Sequence, residues 1–553
     1  MGAAWVCLAG LAVFALGYRF YARFLADRVF ELRADEPMPS VTHADGVDFV
    51  PTNRHVLLGH HYASIAGAAP IIGPAIAIVW GWVPAIIWVV LGTVFMGAVH
   101  DMATLVLSAR HGGRSVGSIS SEVLGPRTRT LFLLVIFFLV FLVIAVFADA
   151  IAALFVAQPG TVIPINFEIV VAVAIGWLAH KRGARLLWPS IVALLLLYGM
   201  VWVGVQVPAS IEPWFGEHQR TAWVVALLIY SFVASVLPVW VLLQPRDFIN
   251  SHQLMVGLGA LILGILIANP TITAPAFSAG PADAPSWFPF LFVTIACGAI
   301  SGFHGLVASG TTSKQLACAP DARLIGYGGM VGEGTLALVA TLAVSAGLAD
   351  WAGHYHAFGA AKAGGVAAFV EGAATFLGAL GIPRGPGEVV VAVLVVSFAA
   401  TSLDTGARIQ RYILQELGAI HGIGPLRNKY VASLIAVGLP LILYLAGKQR
   451  LLWPLFGGSN QMLAGLSLVV VTLWLYRQGR PWLYTAVPML VVLTVSFLAL
   501  SSMVGSFVSE GNLLLAAVGA LMLALEAWVV IEGVGAWRRL RAAAALAGGT
   551  GRS

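Results

Sequence analysis

Ionisable and hydroxyl side chains are scarce in this chain, and several stand inside otherwise apolar runs. His60 and His61 open one such run, which continues through Gly67-Ala68-Ala69-Pro70-Ile71-Ile72-Gly73-Pro74. Pro70 and Pro74 each remove an amide donor and clash with the preceding turn, and the glycines weaken the helix further. A helix broken inside a membrane offers its half-helix ends to ions and anionic groups. Gly67, Ala68, Ala69, Pro70 and Gly73 are therefore candidate substrate-binding positions. A second polar stretch runs Cys297-Gly298-Ala299-Ile300-Ser301-Gly302-Phe303-His304 and on to Ser309-Gly310-Thr311-Thr312. Helical spacing puts Ser301, His304 and Ala308 on one face, with Thr311 and Thr312 close below. Ser301 and His304 suit a cavity lining. The hydroxyls of Ser309, Thr311 and Thr312 suit a small hard cation, and His304 suits a proton. Ser235-Val236-Leu237-Pro238 reads as a second interrupted helix and adds Ser235 and Pro238 to the substrate-binding set.

Carboxylates within apolar spans are expensive unless paired or active. Glu333 has no sequence-local partner, and Asp404 stands four residues before Arg408, which reads first as a local ion pair. These two acids are the candidates for cation or proton coupling. Asp101, which follows His100, and Asp149 are further acids of the same kind. His60, His61, His100 and Asp101 as metal ligands would make an intramembrane enzyme, but their spacing matches no established ligand set. No catalytic residue, resident metal or cofactor is expected.

Composition dictates the elements that must hold these groups. The chain has 553 residues, 59% hydrophobic and only 10% charged, with a mean hydropathy of +0.92. So few charges cannot cover a water-facing surface, which excludes a soluble enzyme, a nucleic-acid binder and a secreted domain. The three cysteines form no CxxC pair and imply no disulfide framework. No basic segment precedes the first apolar run, so that run reads as a retained span.

Runs of roughly 20 apolar residues give fifteen candidate spans, at 3–20, 60–79, 83–108, 130–157, 163–179, 186–206, 222–244, 252–269, 287–309, 324–349, 388–406, 430–447, 453–476, 482–503 and 512–534. Of the 30 Lys and Arg, 25 fall in alternate inter-span segments and 5 in the others. The positive-inside rule then places the N-terminus outside and the C-terminus in the cytoplasm. Spans two to six and seven to eleven are two odd-numbered groups, each opening with a proline-broken helix, which is the pattern of an inverted repeat. The expected organisation is an N-terminal span and loop over 1–59, repeats over 60–206 and 222–417, four spans over 430–534 and a cytoplasmic tail over 535–553. The fold class is an all-α polytopic membrane protein.

Several motifs resemble the carbon starvation protein A family of peptide and pyruvate transporters. They are His43-Ala44-Asp45-Gly46-Val47-Asp48-Phe49-Val50-Pro51-Thr52, the Gly59-to-Pro74 segment, Arg114-Ser115-Val116-Gly117, Leu237-Pro238-Val239-Trp240 and Pro245-Arg246-Asp247. They continue with residues 295–312, Ile325-Gly326-Tyr327-Gly328, Asp404-to-Arg408, Leu452-Trp453-Pro454-Leu455-Phe456-Gly457 and Asn460-Gln461-Met462-Leu463-Ala464. The resemblance spans roughly residues 18–478. His100, where the family often has Gln, and Asp149, where an apolar residue is usual, depart from the pattern. The family in turn resembles amino acid–polyamine–organocation carriers, which implies a five-plus-five, LeuT-like core. The resemblance implies uptake of pyruvate or short peptides at the bacterial inner membrane during carbon starvation, with a proton or Na⁺ as partner and lipid around the bundle. A non-transporting nutrient sensor is the other reading, and it lacks an output domain.

Overall fold

The computed structural model describes residues 1–46, 48–182, 187–447 and 452–549; Val47 and the end of the expected tail lie outside them. The principal helices are α1 (Ala3–Val29), α2 (Arg54–Ile65), α3 (Ala69–Ala77), α4 (Trp82–Arg110), α5 (Thr128–Ala157) and α6 (Val162–Arg182). Next come α7 (Leu187–Gln206), α8 (Gln219–Val236), α9 (Leu243–Ala268), α10 (Trp287–Ile295), α11 (Gly302–Gly310) and α12 (Gly328–Ala346). The chain closes with α13 (Phe358–Gly378), α14 (Arg384–Ile420), α15 (Lys429–Leu445), α16 (Leu452–Arg477), α17 (Leu483–Ser509) and α18 (Leu513–Gly549). Among the described residues there is no strand, only two isolated bridges.

Thirteen of these stretches are long and apolar enough to cross a membrane, and the bent pair α2–α3 makes a fourteenth. The remaining expected span falls on α15, apolar but only 17 residues long. Two expectations change. Pro238 does not interrupt a helix: α8 ends at Val236, a turn closes with the Val241 amide on the Pro238 carbonyl at 3.2 Å, and α9 starts at Leu243. The second broken span is instead α10–α11, which unwinds at Ala299–Ser301 without a proline. Ser301 is extended (φ −139°, ψ 126°), so it does not share the helical face of His304 and Ala308.

The helices pack in matched pairs. α2 lies along α9 as α11 lies along α16, and α8 packs on α5 as α15 packs on α14. In the same way α9 meets α14 and α16 meets α5, while α3 meets α12 and α11 meets α4. α5 and α14 run together through the centre, and both are heavily buried. α17 and α18 stack outside α16.

The stretch 350–387, which lies between two of the expected spans, contains α13. Small residues run along it, and a Cβ on Gly372 would strike the Ala343 carbonyl. Tyr355, just before α13, donates to the Ala75 carbonyl at 2.8 Å. The Phe376 carbonyl sits against Gly264 near the end of α9, and Ala374 faces Gly387 near the start of α14. α13 thus lies across the face where α3, α9 and α12 end and α14 begins. It caps the bundle, which is why its hydropathy is too low for a span.

Asp283 fixes the start of this cap, accepting from the amides of Phe358 (2.7 Å) and Gly359 (3.0 Å). Those two amides hold the Asp283 carboxyl below its ordinary range. A lowered folded value contributes order that is complete above the unfolded value and lost as pH falls through the folded one. Once exchange is corrected for its intrinsic pH dependence, protection of the amides at residues 358–362 is expected to fall on acidification, and in Asp283→Asn to be low at every pH, as hydrogen-exchange mass spectrometry can read.

Candidate functional site

Both helix breaks sit at the centre of the packing. The α2–α3 span bends by 46° at residues 66–68, with the Gly67 amide closing a tight turn on the Ile65 carbonyl at 2.8 Å. Pro70 falls in the first turn of α3, where its missing donor costs nothing. A Cβ on Gly67 would meet Ser402 Oγ at 2.6 Å and the Phe147 ring at 2.9 Å. Gly73 serves a different purpose: its Cβ would fall on the Thr294 carbonyl, so it lets α3 and α10 touch backbone to backbone.

The second break is closed by side chains from outside it. Asn460 Oδ1 accepts from the Phe303 amide (2.9 Å) and the Ser301 hydroxyl (3.2 Å), its Nδ2 lies 3.0 Å from Ser301 Oγ, and Thr93 donates to the Gly298 carbonyl (3.1 Å). Irregular backbone at this depth survives only when its groups are satisfied in this way. Asn460→Ala leaves the Phe303 amide unpaired, a cost of ~1–3 kcal/mol. We expect a lowered melting temperature with insertion retained, measured by scanning fluorimetry in detergent.

Two buried ionic clusters flank the breaks. The first is a chain of four residues on α4, α11 and α12. His100 Nδ1 lies 2.8 Å from Asp101 Oδ1, Asp101 Oδ2 lies 2.9 Å from His304 Nδ1, and His304 Nε2 lies 2.8 Å from Glu333 Oε2. All four side chains are 0% exposed. Cys297 Sγ stands 3.8 Å from His304 Nε2. Glu333, which has no partner in sequence, thus finds one across the break.

The second cluster joins α2, α6, α8, α9 and α14. Arg246 is bonded to Asp404 and Tyr230 and donates to Thr401 at 2.9 Å. Tyr230 donates to Asp404 at 2.8 Å, Ser397 donates to Glu168 at 3.0 Å, and His60 Nδ1 lies 2.8 Å from Asp247. Glu168 Oε1, Asp404 Oδ1 and His60 Nε2 are buried without hydrogen-bond partners. Two cavities reach this cluster. One of about 20 Å³, room for about one water, is lined by His60, Thr311, Lys314 and Arg408, and another of about 90 Å³ touches Tyr230.

The expected Asp404–Arg408 pair does not form. Arg408 instead donates to the carbonyls of Ala234 (2.8 Å) and Leu237 (2.6 Å), the unpaired C-terminal end of α8, where a cation is favoured. Ser235 is bonded to Ser433 at 2.9 Å, and Pro238 lies in the turn after α8. Ser309 and Thr311 donate to their own helix, at Gly305 (2.7 Å) and Val307 (3.0 Å), while Thr312 meets His61 Nδ1 at 2.9 Å. Asp149 is clamped by Arg220 through two bonds of 2.8 and 2.7 Å. Of the acids, Glu168 and Asp247 were not singled out from sequence. Glu168 carries the signal that would have found it, a lone acid within Pro164-Ile165-Asn166-Phe167-Glu168-Ile169-Val170.

The family profile described as carbon starvation protein CstA matches residues 2–352 and 346–499. The peptide transporter CstA of Escherichia coli K12 is 33% identical over 549 residues, covering 87% of this chain and 78% of that protein. The pyruvate/proton symporter BtsT of the same organism is 32% identical over 562 residues, again covering 87% and 78%. The CstA peptide transporter of Mycobacterium tuberculosis H37Rv is 33% identical over 577 residues, covering 90% and 75%. Among solved structures, MhsT in complex with L-phenylalanine aligns at 13% identity with a TM-score of 0.46, covering 81% of this chain and 99% of that one.

Proposed function

This chain belongs to the carbon starvation protein CstA family, and from that premise we propose that it carries pyruvate or a short peptide inward together with a proton. The observation that carries the reading is the pair of broken helices, packed against one another and flanked by an Arg246-centred cluster that two cavities reach. The Ala68 and Ala69 amides at the start of α3, between the paired Gly67 amide and Pro70, suit a substrate carboxylate. Ser301 and His304 stand at the facing break. Asp404 belongs to the coupling group, joined by Glu168, Asp247 and His60. The cluster holds three carboxylates, Glu168, Asp247 and Asp404, against the one guanidinium of Arg246, and a proton is the smallest ion that reduces this excess of negative charge.

The matched helix pairings support an inverted repeat, which we assign to residues 54–268 and 287–477 in place of 60–206 and 222–417. On this reading α6–α7 is inserted in the first half and α13 in the second. The multi-pass bundle sits in the inner membrane, with the N-terminus outside and the C-terminus in the cytoplasm; reporters fused near Asp283 and after Ser553 should read external and cytoplasmic.

The test is proteoliposome uptake of labelled pyruvate and of a dipeptide, with pH and Na⁺ gradients imposed separately. Accumulation driven by inward proton flow supports the reading. Strict Na⁺ dependence with no effect of pH overturns the proton assignment, and transport of neither compound overturns the substrate class.

A further inference from the structure

The His304 chain does not line the two cavities that reach the Arg246 cluster, and it contains a set of atoms that proton traffic does not account for. We propose that Cys297, His304 and Glu333 form a three-ligand site for a divalent transition metal, with Zn²⁺ the ion that best matches the donors.

Cys297 Sγ, a ring nitrogen of His304 and a carboxylate oxygen of Glu333 all lie within 4.8 Å of one another, and all three residues are buried. Sγ to Nε2 is 3.8 Å and Nε2 to Oε2 is 2.8 Å. Around tetrahedral zinc, bonds of about 2.0–2.3 Å put neighbouring ligands about 3.3–3.6 Å apart. Small adjustments therefore bring these atoms to coordination distance.

Three further observations point to a cation. Asp101 Oδ2, 2.9 Å from His304 Nδ1, is placed to accept that nitrogen's N–H, which would leave the Nε2 lone pair for an ion between Cys297 and Glu333, the usual outer carboxylate of a metal-bound histidine. His100 in turn orients Asp101. Glu333 is 0% exposed and its Oε1 has no hydrogen-bond partner, an expensive state for a carboxylate unless a cation stands before it. A thiolate and a carboxylate also neutralise a divalent ion, leaving no net charge at the centre.

The donor set selects the ion. Sulfur and imidazole nitrogen exclude Na⁺, Mg²⁺ and Ca²⁺, which take oxygen, and favour zinc or a neighbouring first-row metal. Three protein ligands leave the fourth position for water. Cys297 precedes the Ala299–Ser301 break and His304 follows it, so the ion would bind the two half-helices to each other and to α12. Neither the site nor its test depends on the proposed cargo or on proton coupling.

The experiment is elemental analysis of the full-length protein purified in detergent without chelator, followed by Co²⁺ titration. About one zinc per chain is expected in the wild type, falling about tenfold or more in Cys297→Ser and Glu333→Gln. Cys7→Ser/Cys318→Ser leaves Cys297 as the only thiol. It should still show the near-ultraviolet thiolate-to-Co²⁺ band and the visible bands of a tetrahedral ion, which keeps the test valid should the ligand variants misfold. No metal in wild-type protein after Zn²⁺ addition overturns the proposal, as does absence of the thiolate band in the Cys7→Ser/Cys318→Ser protein. Equal metal content in folded Cys297→Ser and Glu333→Gln also overturns it.

Discussion

Glu168→Gln is expected to abolish accumulation of substrate against a gradient while leaving substrate exchange within about twofold of wild type. Glu168 is fully enclosed by its neighbours, receives one hydrogen bond from Ser397 and has a second oxygen with no partner. The amide keeps the shape and can still accept from Ser397, so the fold has little reason to change. What it loses is the capacity to take and release a proton, which is the use that buried acids in carriers serve. Exchange needs no return of an empty carrier, whereas accumulation does. Asp404→Asn should behave differently. It removes the charge opposite Arg246 and leaves a buried guanidinium short of its partner, a loss of about 3–5 kcal/mol, so both activities and thermal stability should fall together. Counterflow and gradient-driven uptake, measured side by side with melting curves, separate the two outcomes. Normal accumulation by Glu168→Gln would move the coupling proton to another group.

The second large effect is expected at His304. His304→Leu leaves Asp101 and Glu333 facing one another across an apolar side chain, both fully buried. Stranding a buried charge costs about 3–5 kcal/mol; Glu333 loses its one ionic partner and Asp101 keeps only His100, so the protein should accumulate poorly in the membrane. The damage should be repairable. Adding Asp101→Asn and Glu333→Gln to His304→Leu removes both charges, and replacing a buried ionic set with neutral groups is often tolerated. Recovery of folded protein in the triple variant, by fluorescence-detected size-exclusion chromatography, would show that the loss came from uncompensated acids and not from the shape of the side chain. Failure of the triple variant would assign the loss to packing around the break. Because the three positions are in contact, their effects are not expected to add.

Much of this arrangement can be read along the chain, and the part that cannot has a common cause. Apolar runs locate the spans, because length and hydropathy are local properties. The α2–α3 break is announced by Pro70 and Pro74. Glu333, His304 and Asp404 stand out as polar groups where lipid or protein interior is expected. Their partners do not, because Arg246 is 158 residues from Asp404 and Asp101 is 203 residues from His304. A local rule such as i,i+4 pairing therefore joined Asp404 to the wrong arginine. The break at Ala299–Ser301 carries no proline. It depends on Asn460 and Thr93, which lie on other helices, and no local propensity reports that. α13 was missed because hydropathy measures fitness for lipid, and this helix needs only to be small enough to lie against the ends of others.

Arg408 deserves a mechanical reading as well as an electrostatic one. Its guanidinium spans from α14 to two carbonyls at the end of α8, and α8 is fastened independently to α15 through Ser235 and Ser433. Three helices are thereby cross-braced by bonds that would have to be broken, two of them charge-assisted, for any one to tilt alone. Among the described residues the α2–α3 span has no charge-assisted brace at residues 66–68, only the Ser402 hydroxyl on the neighbouring Ser64 carbonyl at 3.3 Å, and it is already bent there by 46°. Rocking of the bundle would therefore concentrate at that joint, with α8, α14 and α15 behaving as a stiff frame about which the lighter half-helices swing.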